Sequence, residues 1–440
     1  MNKKGFTLIE ILVVLVLVSI IVVISIPSIS DLLDSSKEKS KEEVVNMITT
    51  AAEIYASDYN IGLAEPMLMT TLCKNYLKCP IKDPITDNPI TGYVYSKIDT
   101  ANNDALVYEL VNTASSPTYL KNTLLATVAG KDISINKYAG NGLYKWDNKY
   151  IFRGGITKTN SVGLATSDGY LTDTNSGTQP NNYLIAPWDT SNINCASSTN
   201  SCYRIVSINE DETITIVRDR SAFSSVFDNV HNTPASIYYS QPATNYGYSD
   251  LLENAPLPAY SPAEYRQFSF MYNRLFGDTG YEKTTIMTYS KMLEKIDICL
   301  NKYGTVIGLN RADYLTSSYV KDSCDVIGKT GGKSVFPLKD KYMRLLYPEE
   351  FLNASTESTC TARGQYQCRN QNYIYTDQST RTLIATGTYS WVNHGLSVSG
   401  TIYNVAASSS LGVRPVVTLR KNVIITGGTG SQVNPYVIAN

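Results

Sequence analysis

The sequence predicts an α+β protein: a long N-terminal membrane-spanning α-helix packed on a small head, followed by a large β-rich module. Three observations lead there. Residues 6–26 form an uninterrupted run of 21 whose one charge is Glu10. Val44, Val45, Ile48, Ala51, Ala52 and Tyr55 then recur at helical spacing and make one apolar stripe. Beyond residue 120, runs rich in Val, Ile, Thr and Tyr alternate with Asn, Asp and Gly, the pattern of strands and turns.

The first element follows from length and charge. At 1.5 Å per residue the run over residues 6–26 spans about 32 Å, enough to cross a bilayer core of ~30 Å. A carboxylate inside such a span costs ~2.5–3.5 kcal/mol near the centre, so Glu10 needs a partner or a purpose. A cleaved secretory signal fits poorly, because the apolar run is too long and Ser25-Ile26-Pro27-Ser28 is not a small-residue cleavage site. A plain signal anchor fits the hydropathy but leaves Glu10 unexplained. Pro27 removes a backbone donor, which predicts a kink near Val22 and Val23, or else a simple end to the span.

The helix is expected to continue past Pro27. The charged run Asp-Leu-Leu-Asp-Ser-Ser-Lys-Glu-Lys-Ser-Lys-Glu-Glu over residues 31–43 suits a solvated helical face. The stripe from Val44 to Tyr55 needs a surface to cover, and Gly62 is the expected stop. The prolines at 80, 84 and 89 among Asp and Asn mark successive turns before the strand-like Gly92-Tyr93-Val94-Tyr95-Ser96. Asp83 and Asp87 are calcium candidates there, with turn chemistry as the simpler account.

The basic leader and Gly5-Phe6-Thr7-Leu8-Ile9-Glu10 resemble the class III leader of type IV pilins and pseudopilins. The resemblance implies that a prepilin peptidase cuts between Gly5 and Phe6, with Lys3 and Lys4 held on the cytoplasmic side, and that the new Phe6 amine is N-methylated. It further implies that Glu10 pairs with the Phe6 amine of a neighbouring subunit, cancelling two buried charges. The turn-rich segment with Asp83-Pro84 and its following strand is similar to the heads of short Gram-positive pilins and major pseudopilins. The expected division is a leader at 1–5, a transmembrane and assembly helix at 6–30, a pilin head at 31–115 and an extracellular module at 120–440.

In that module, Tyr203-Arg204-Ile205-Val206-Ser207-Ile208 and Thr213-Ile214-Thr215-Ile216-Val217 flank Asn209-Glu210-Asp211-Glu212 and predict a hairpin. Further strands are expected at 142–146, 149–153, 181–185, 412–419 and 423–426, and helices only at 261–276 and 289–300. The module is similar to uncharacterised surface modules of low-GC bacteria through residues 150–155, 181–183, 203–218 and 412–438. Through Tyr389-Ser390-Trp391 and the later Val413-Arg414-Pro415 it resembles the C-type-lectin-like fold shared with formylglycine-generating enzymes. Fold likeness fixes no activity.

Eight cysteines in an exported chain read as disulfides. Proximity pairs Cys73 with Cys79, Cys195 with Cys202 and Cys360 with Cys368, leaving Cys299 with Cys324. Zinc is the rival, but no Cys-x-x-Cys occurs and the only histidines are His231 and His394. No nucleophile, P-loop or metalloprotease motif appears, so neither enzymatic activity nor a cofactor is expected. A net charge of −1 with 18% charged residues gives no global basis for nucleic-acid binding. Trp146, Trp188 and Trp391 are candidates for stacking on a glycan or protein ligand, with burial in a core as the alternative. Residues 433–440 carry no hydrophobic tail, so sortase-type wall attachment is not expected.

Together these features predict a structural subunit of a type IV pilus or related filament, a minor or tip pilin presenting a binding module. Its partners would be other pilin subunits, prepilin peptidase and the assembly platform of the cytoplasmic membrane. It would cross that membrane once, N-terminus inside, and end on the cell surface. The alternatives are a pseudopilin of a type II secretion or DNA-uptake system, and a membrane-tethered surface binding protein that never polymerises.

Overall fold

A computed structural model describes residues 8–134, 142–155, 180–226, 270–299, 337–346, 348–356, 360, 368, 371–375, 380–381, 392–396, 402–406 and 409–439. Within these, residues 20–32 and several short stretches of helix or strand are described by their backbone alone. The protein is α+β with a large β-rich part, and it divides into two compact units. Unit 1 comprises Met1–Ile61, Pro66–Tyr95 and Val107–Pro117; unit 2 comprises Gly62–Glu65, Ser96–Leu106 and Thr118–Asn440. The last crossing from unit 1 to unit 2 falls after Pro117. The exchange of residues 62–65 and 96–106 into unit 2 has no sequence signal.

Unit 1 is built on α1 (Leu8–Tyr59), a helix of 52 residues and therefore about 78 Å long. It contains no glycine and runs through Pro27 without a break in its helical assignment. Its second half buries Ile48, Ala52 and Ala56, one turn apart, against Met67, Met69, Leu72, Ile81, Ile90 and Val94. These partners come from β1 (Met67–Leu68), α2 (Met69–Asn75), β2 (Tyr93–Asp99) and the turns before β2. The sheet order is β1-β2-β3, with β3 spanning Ala105–Val111. Small alanines on the helix permit close approach, which is why a two-turn helix and two strand residues suffice to cover it.

Gly62 is not the helix stop. Asn60 takes a left-handed φ of 51°, and the Ile61 N–H donates back to the Ala56 carbonyl at 3.0 Å. That is the six-to-one closure of a Schellman motif, and Asn is the residue after glycine that best tolerates it. Gly62 serves close packing instead. A methyl there would strike the Lys291 carbonyl and the Arg420 side chain, all within unit 2.

Unit 2 centres on a nine-stranded sheet. Its main path runs β12 (Met343–Arg344), β17 (Val416–Leu419), β8 (Ile214–Arg218), β7 (Tyr203–Ile208), β6 (Tyr183–Ile185), β19 (Tyr436–Ile438) and β18 (Ile425–Gly427). The hairpin β4 (Leu143–Trp146) and β5 (Lys149–Phe152) joins through pairing of β5 with β7. The expected hairpin over residues 203–217 is present, with Ile205 opposite Ile216 and Ile208 opposite Ile214. All eleven residues of β7 and β8 are buried, so these strands form the middle of the core. A second, five-stranded sheet has the order β15 (Ile402–Ala406), β14 (Val392–Leu396), β13 (Thr380–Arg381), β16 (Leu411–Val413) and β9 (Phe223–Ser225).

The helix expected at 289–300 is mostly absent. A 3-10 helix covers Met287–Met292, and β10 (Ile296–Cys299) follows, paired with β11 (Pro337–Lys341). Tyr289, Met292, Leu293 and Ile296 recur at helical spacing, whereas Ile296 and Ile298 alternate as in a strand, and pairing with β11 decides. Of the helix expected at 261–276, Phe270–Phe276 is helical and the remainder lies outside the described residues. Helix α3 (Leu120–Ala126) was not expected; only Leu120 and Leu124 are buried along it, too few for a periodic signal.

Candidate functional site

The N-terminal part of α1 is the first candidate. Leu8, Ile9, Ile11, Leu12 and Leu15 are between 51% and 85% exposed, and the valines through Val18 about half exposed. Burying one such side chain stabilises by ~1.5–3 kcal/mol, so a continuous apolar surface of this kind demands lipid or protein around it. Glu10 is exposed in the first described turn of α1. It is the only charge on that surface. Among the described residues no helix is long and apolar enough to cross a membrane. The described side chains of the apolar run end at Ser19, and Gly5 and Phe6 lie outside the described residues.

Unit 2 has an interior built around arginines. Arg204 is wholly buried, with its guanidinium 3.7 Å over the Tyr183 ring and 5.0 Å over that of Tyr373. Its Nε donates to the Asn182 side-chain oxygen at 2.7 Å, and its Nη1 lies 3.5 Å from Asp219. Asn200, also wholly buried, donates to the other Asp219 oxygen at 3.0 Å and to the carbonyls of Cys195 and Ser197. Arg414 donates to the carbonyls of Arg218 and Ile374 across long stretches of chain. Arg414 thereby ties distant carbonyls together, and Arg204 ties Asn182 to Asp219.

Next to them, Arg218 donates to Asp189 at 2.6 Å and to the carbonyls of Arg220 and Ser221. Burial opposes the Arg218 charge, but the Asp189 hydrogen bond and its field more than offset that and raise the pKa. Trp188 donates to the Tyr203 hydroxyl at 2.9 Å and packs edge-on against its ring. Burial pushes the Tyr203 phenol well above its ordinary value, and burial with the Asp189 charge pushes Tyr281 up to about 12. The cluster holds neutral phenols beside a fixed ion pair. It brings no nucleophile to a base.

Sequence reading missed these arginines. The signal was present, because Arg204 and Arg414 stand inside strand-like runs and Arg218 closes one. A cation in such a position is buried only when paired.

Other sequence candidates resolve structurally. Asp83 is buried and accepts from the amides of Ile85 at 2.8 Å and Thr86 at 3.3 Å, an Asx turn. Asp87 faces Lys82 at 3.0 Å instead of joining it. Among the described residues no group of three or more His, Cys, Asp or Glu is placed to hold a metal. Trp146 and Trp188 are buried and belong to packing, so they do not form an exposed stacking surface. Trp391 and His231 lie outside the described residues, and His394 is described by its backbone alone.

Three neighbour pairs of cysteines are bonded: Cys73 to Cys79, Cys195 to Cys202 and Cys360 to Cys368, with Cα separations of 5.6, 5.6 and 4.6 Å. Cys324 lies outside the described residues, and of Cys299 only the backbone is described.

No curated protein and no solved structure matches the chain. Residues 1–26 match the prokaryotic N-terminal methylation motif, so the chain carries that motif at the start of α1.

Proposed function

We propose that the chain is a structural subunit of a type IV pilus or related filament, cut between Gly5 and Phe6 and methylated on the new Phe6 amine. The observation that carries this is the methylation motif at residues 1–26 leading into an uninterrupted helix of 52 residues. The exposed apolar surface of α1 is first covered by lipid of the cytoplasmic membrane and then by α1 helices of neighbouring subunits. Glu10, the only carboxylate there, takes the Phe6 amine of a neighbour as its counter-charge. The role is one of assembly and display, not catalysis. Prepilin peptidase and the membrane assembly platform are the partners the processing route requires.

Unit 2 is displayed outside the cell as a binding module, and its bulk favours a minor or tip position over the repeating one. A head of this size at every filament position would crowd its neighbours. Immunogold label confined to tips or sparse sites agrees with that placement, and label along whole filaments contradicts it.

Replacing Glu10 by Ala tests the assembly role. Loss of the subunit from sheared filaments, with its membrane level unchanged, is the expected result. Normal incorporation would refute it. A chain whose deletion abolishes secretion or DNA uptake while leaving extracellular filaments intact would be a pseudopilin instead.

A further inference from the structure

The four residues Gly62–Glu65 come two residues after the end of α1 in sequence, yet they are part of unit 2. Leu63 and Ala64 are buried, and every main-chain bond they make joins remote pieces of that unit. The Leu63 amide donates to the Lys291 carbonyl at 3.1 Å and the Ala64 amide to the Ser96 carbonyl at 3.0 Å. In return the Ala64 carbonyl accepts from the Ile424 amide at 2.9 Å. Glu65, also buried, takes the Gly62 amide at 2.6 Å and lies 3.5 Å from Arg420. Arg420 in turn lies 3.6 Å from Glu294.

The receiving side is itself composite. Residues 423–425 accept the Leu120 amide through Val423, pair Tyr119 with Ile424, donate from Ile425 to Thr118 and accept from Ala439 at Ile424. Four chain segments therefore meet at Ile424. Ala64 holds a φ of 55°, a left-handed conformation unfavourable for any residue with a Cβ. Such a conformation persists only where the surroundings impose it.

We infer that Gly62–Glu65 is a clasp: the chain leaving α1, seated on Ser96 and Lys291, is locked when residues 420–425, some 360 positions later, close over it. Unit 2 is consequently not a separable module that begins at the Pro117 boundary. Without residues 62–65 its strands near Ile424 lose a buried hydrogen-bonding layer, and without the closing strands the segment after α1 keeps its bonds to Lys291 and Ser96 but loses those to Ile424 and Arg420. Completion of the last strands thus closes the set of contacts around the segment after the assembly helix.

Hydrogen exchange on the full chain in detergent, read at single amides, tests this. Wild-type Leu63 and Ala64 should exchange within about tenfold of the β7 and β8 amides, as members of one cooperative unit. Rates nearer those of the exposed turn at Ala101 to Asp104 would overturn the clasp. Replacing Arg420 by Met should speed Leu63 and Ala64 exchange about tenfold if the pairing with Glu65 helps hold the segment. Unchanged rates in that variant would overturn the role given to Arg420.

Discussion

The Arg204 guanidinium stacks on the Tyr183 ring at 3.7 Å while its Nη1 faces Asp219 at 3.5 Å. A buried cation is thereby shared between an aromatic face and a carboxylate in the middle of the main sheet of unit 2. Removing Arg204 leaves the buried Asp219 carboxylate to Arg220, 3.4 Å away, and to the Asn200 amide, a weaker compensation in a medium of low dielectric. Arg204→Met should therefore cost about 3–5 kcal/mol, read as a lower midpoint in thermal or denaturant unfolding. Adding Asp219→Asn should recover part of that loss, because the stranded charge is gone.

Gly62 illustrates a different demand. A Cβ there would meet the Lys291 carbonyl, main chain that cannot swing aside as a side-chain end can. Gly62→Ala should destabilise unit 2 by roughly 1–3 kcal/mol, the usual cost of overpacking. Ala64→Gly should do the reverse, adding up to ~1 kcal/mol by relieving the left-handed residue. Denaturant midpoints of the two variants against wild type check both signs.

Glu282 gives a pH dependence. It is buried and its Oε1 accepts from the Tyr342 amide at 2.6 Å. Burial raises its pKa above the ordinary value, against smaller opposing effects of the Tyr342 amide and of Lys341 and Lys283. With the folded pKa raised, the stability it contributes is fully present below the unfolded value, about 4.5, and is lost as pH rises through the folded value. Glu282→Gln keeps the acceptor and removes the charge. It should stabilise the chain at pH 7, with the gain shrinking to nothing below about pH 4. Unfolding midpoints of both proteins across that range make the comparison.

The loop closed by Cys195 and Cys202 carries Asn200, which ties it to Asp219. Replacing both cysteines by serine should cost ~2–3 kcal/mol, the scale for a short closed loop. A reducing agent should lower the wild-type midpoint and leave that of the double variant less affected.

How far the fold is legible in the sequence depends on the range of the interactions. The helix over residues 8–59 shows itself through local composition: no glycine, an apolar half and a periodic stripe from Val44 to Tyr55. The β7–β8 hairpin shows through alternating runs around Asn209 to Glu212. Local patterns mislead where a distant partner decides, as at Ile296 and Ile298, whose strand exists through pairing with residues 338–341. Asn60 ends α1 two residues before the glycine that sequence rules favour, because Gly62 is reserved for close approach. Of the candidate site, Glu10 is conspicuous as a lone charge among apolar residues. The partners of the buried arginines and the clasp are invisible in one dimension, since Arg414 and Ile424 meet residues about 40 to 360 positions away.

The proposed filament role requires that the motif at residues 1–26 be processed before α1 enters a filament. Mass spectrometry of the mature N-terminus reads that processing. A chain beginning at Phe6 and bearing a methyl group on its α-amine is the predicted result; a chain that retains Met1 through Gly5 would contradict it.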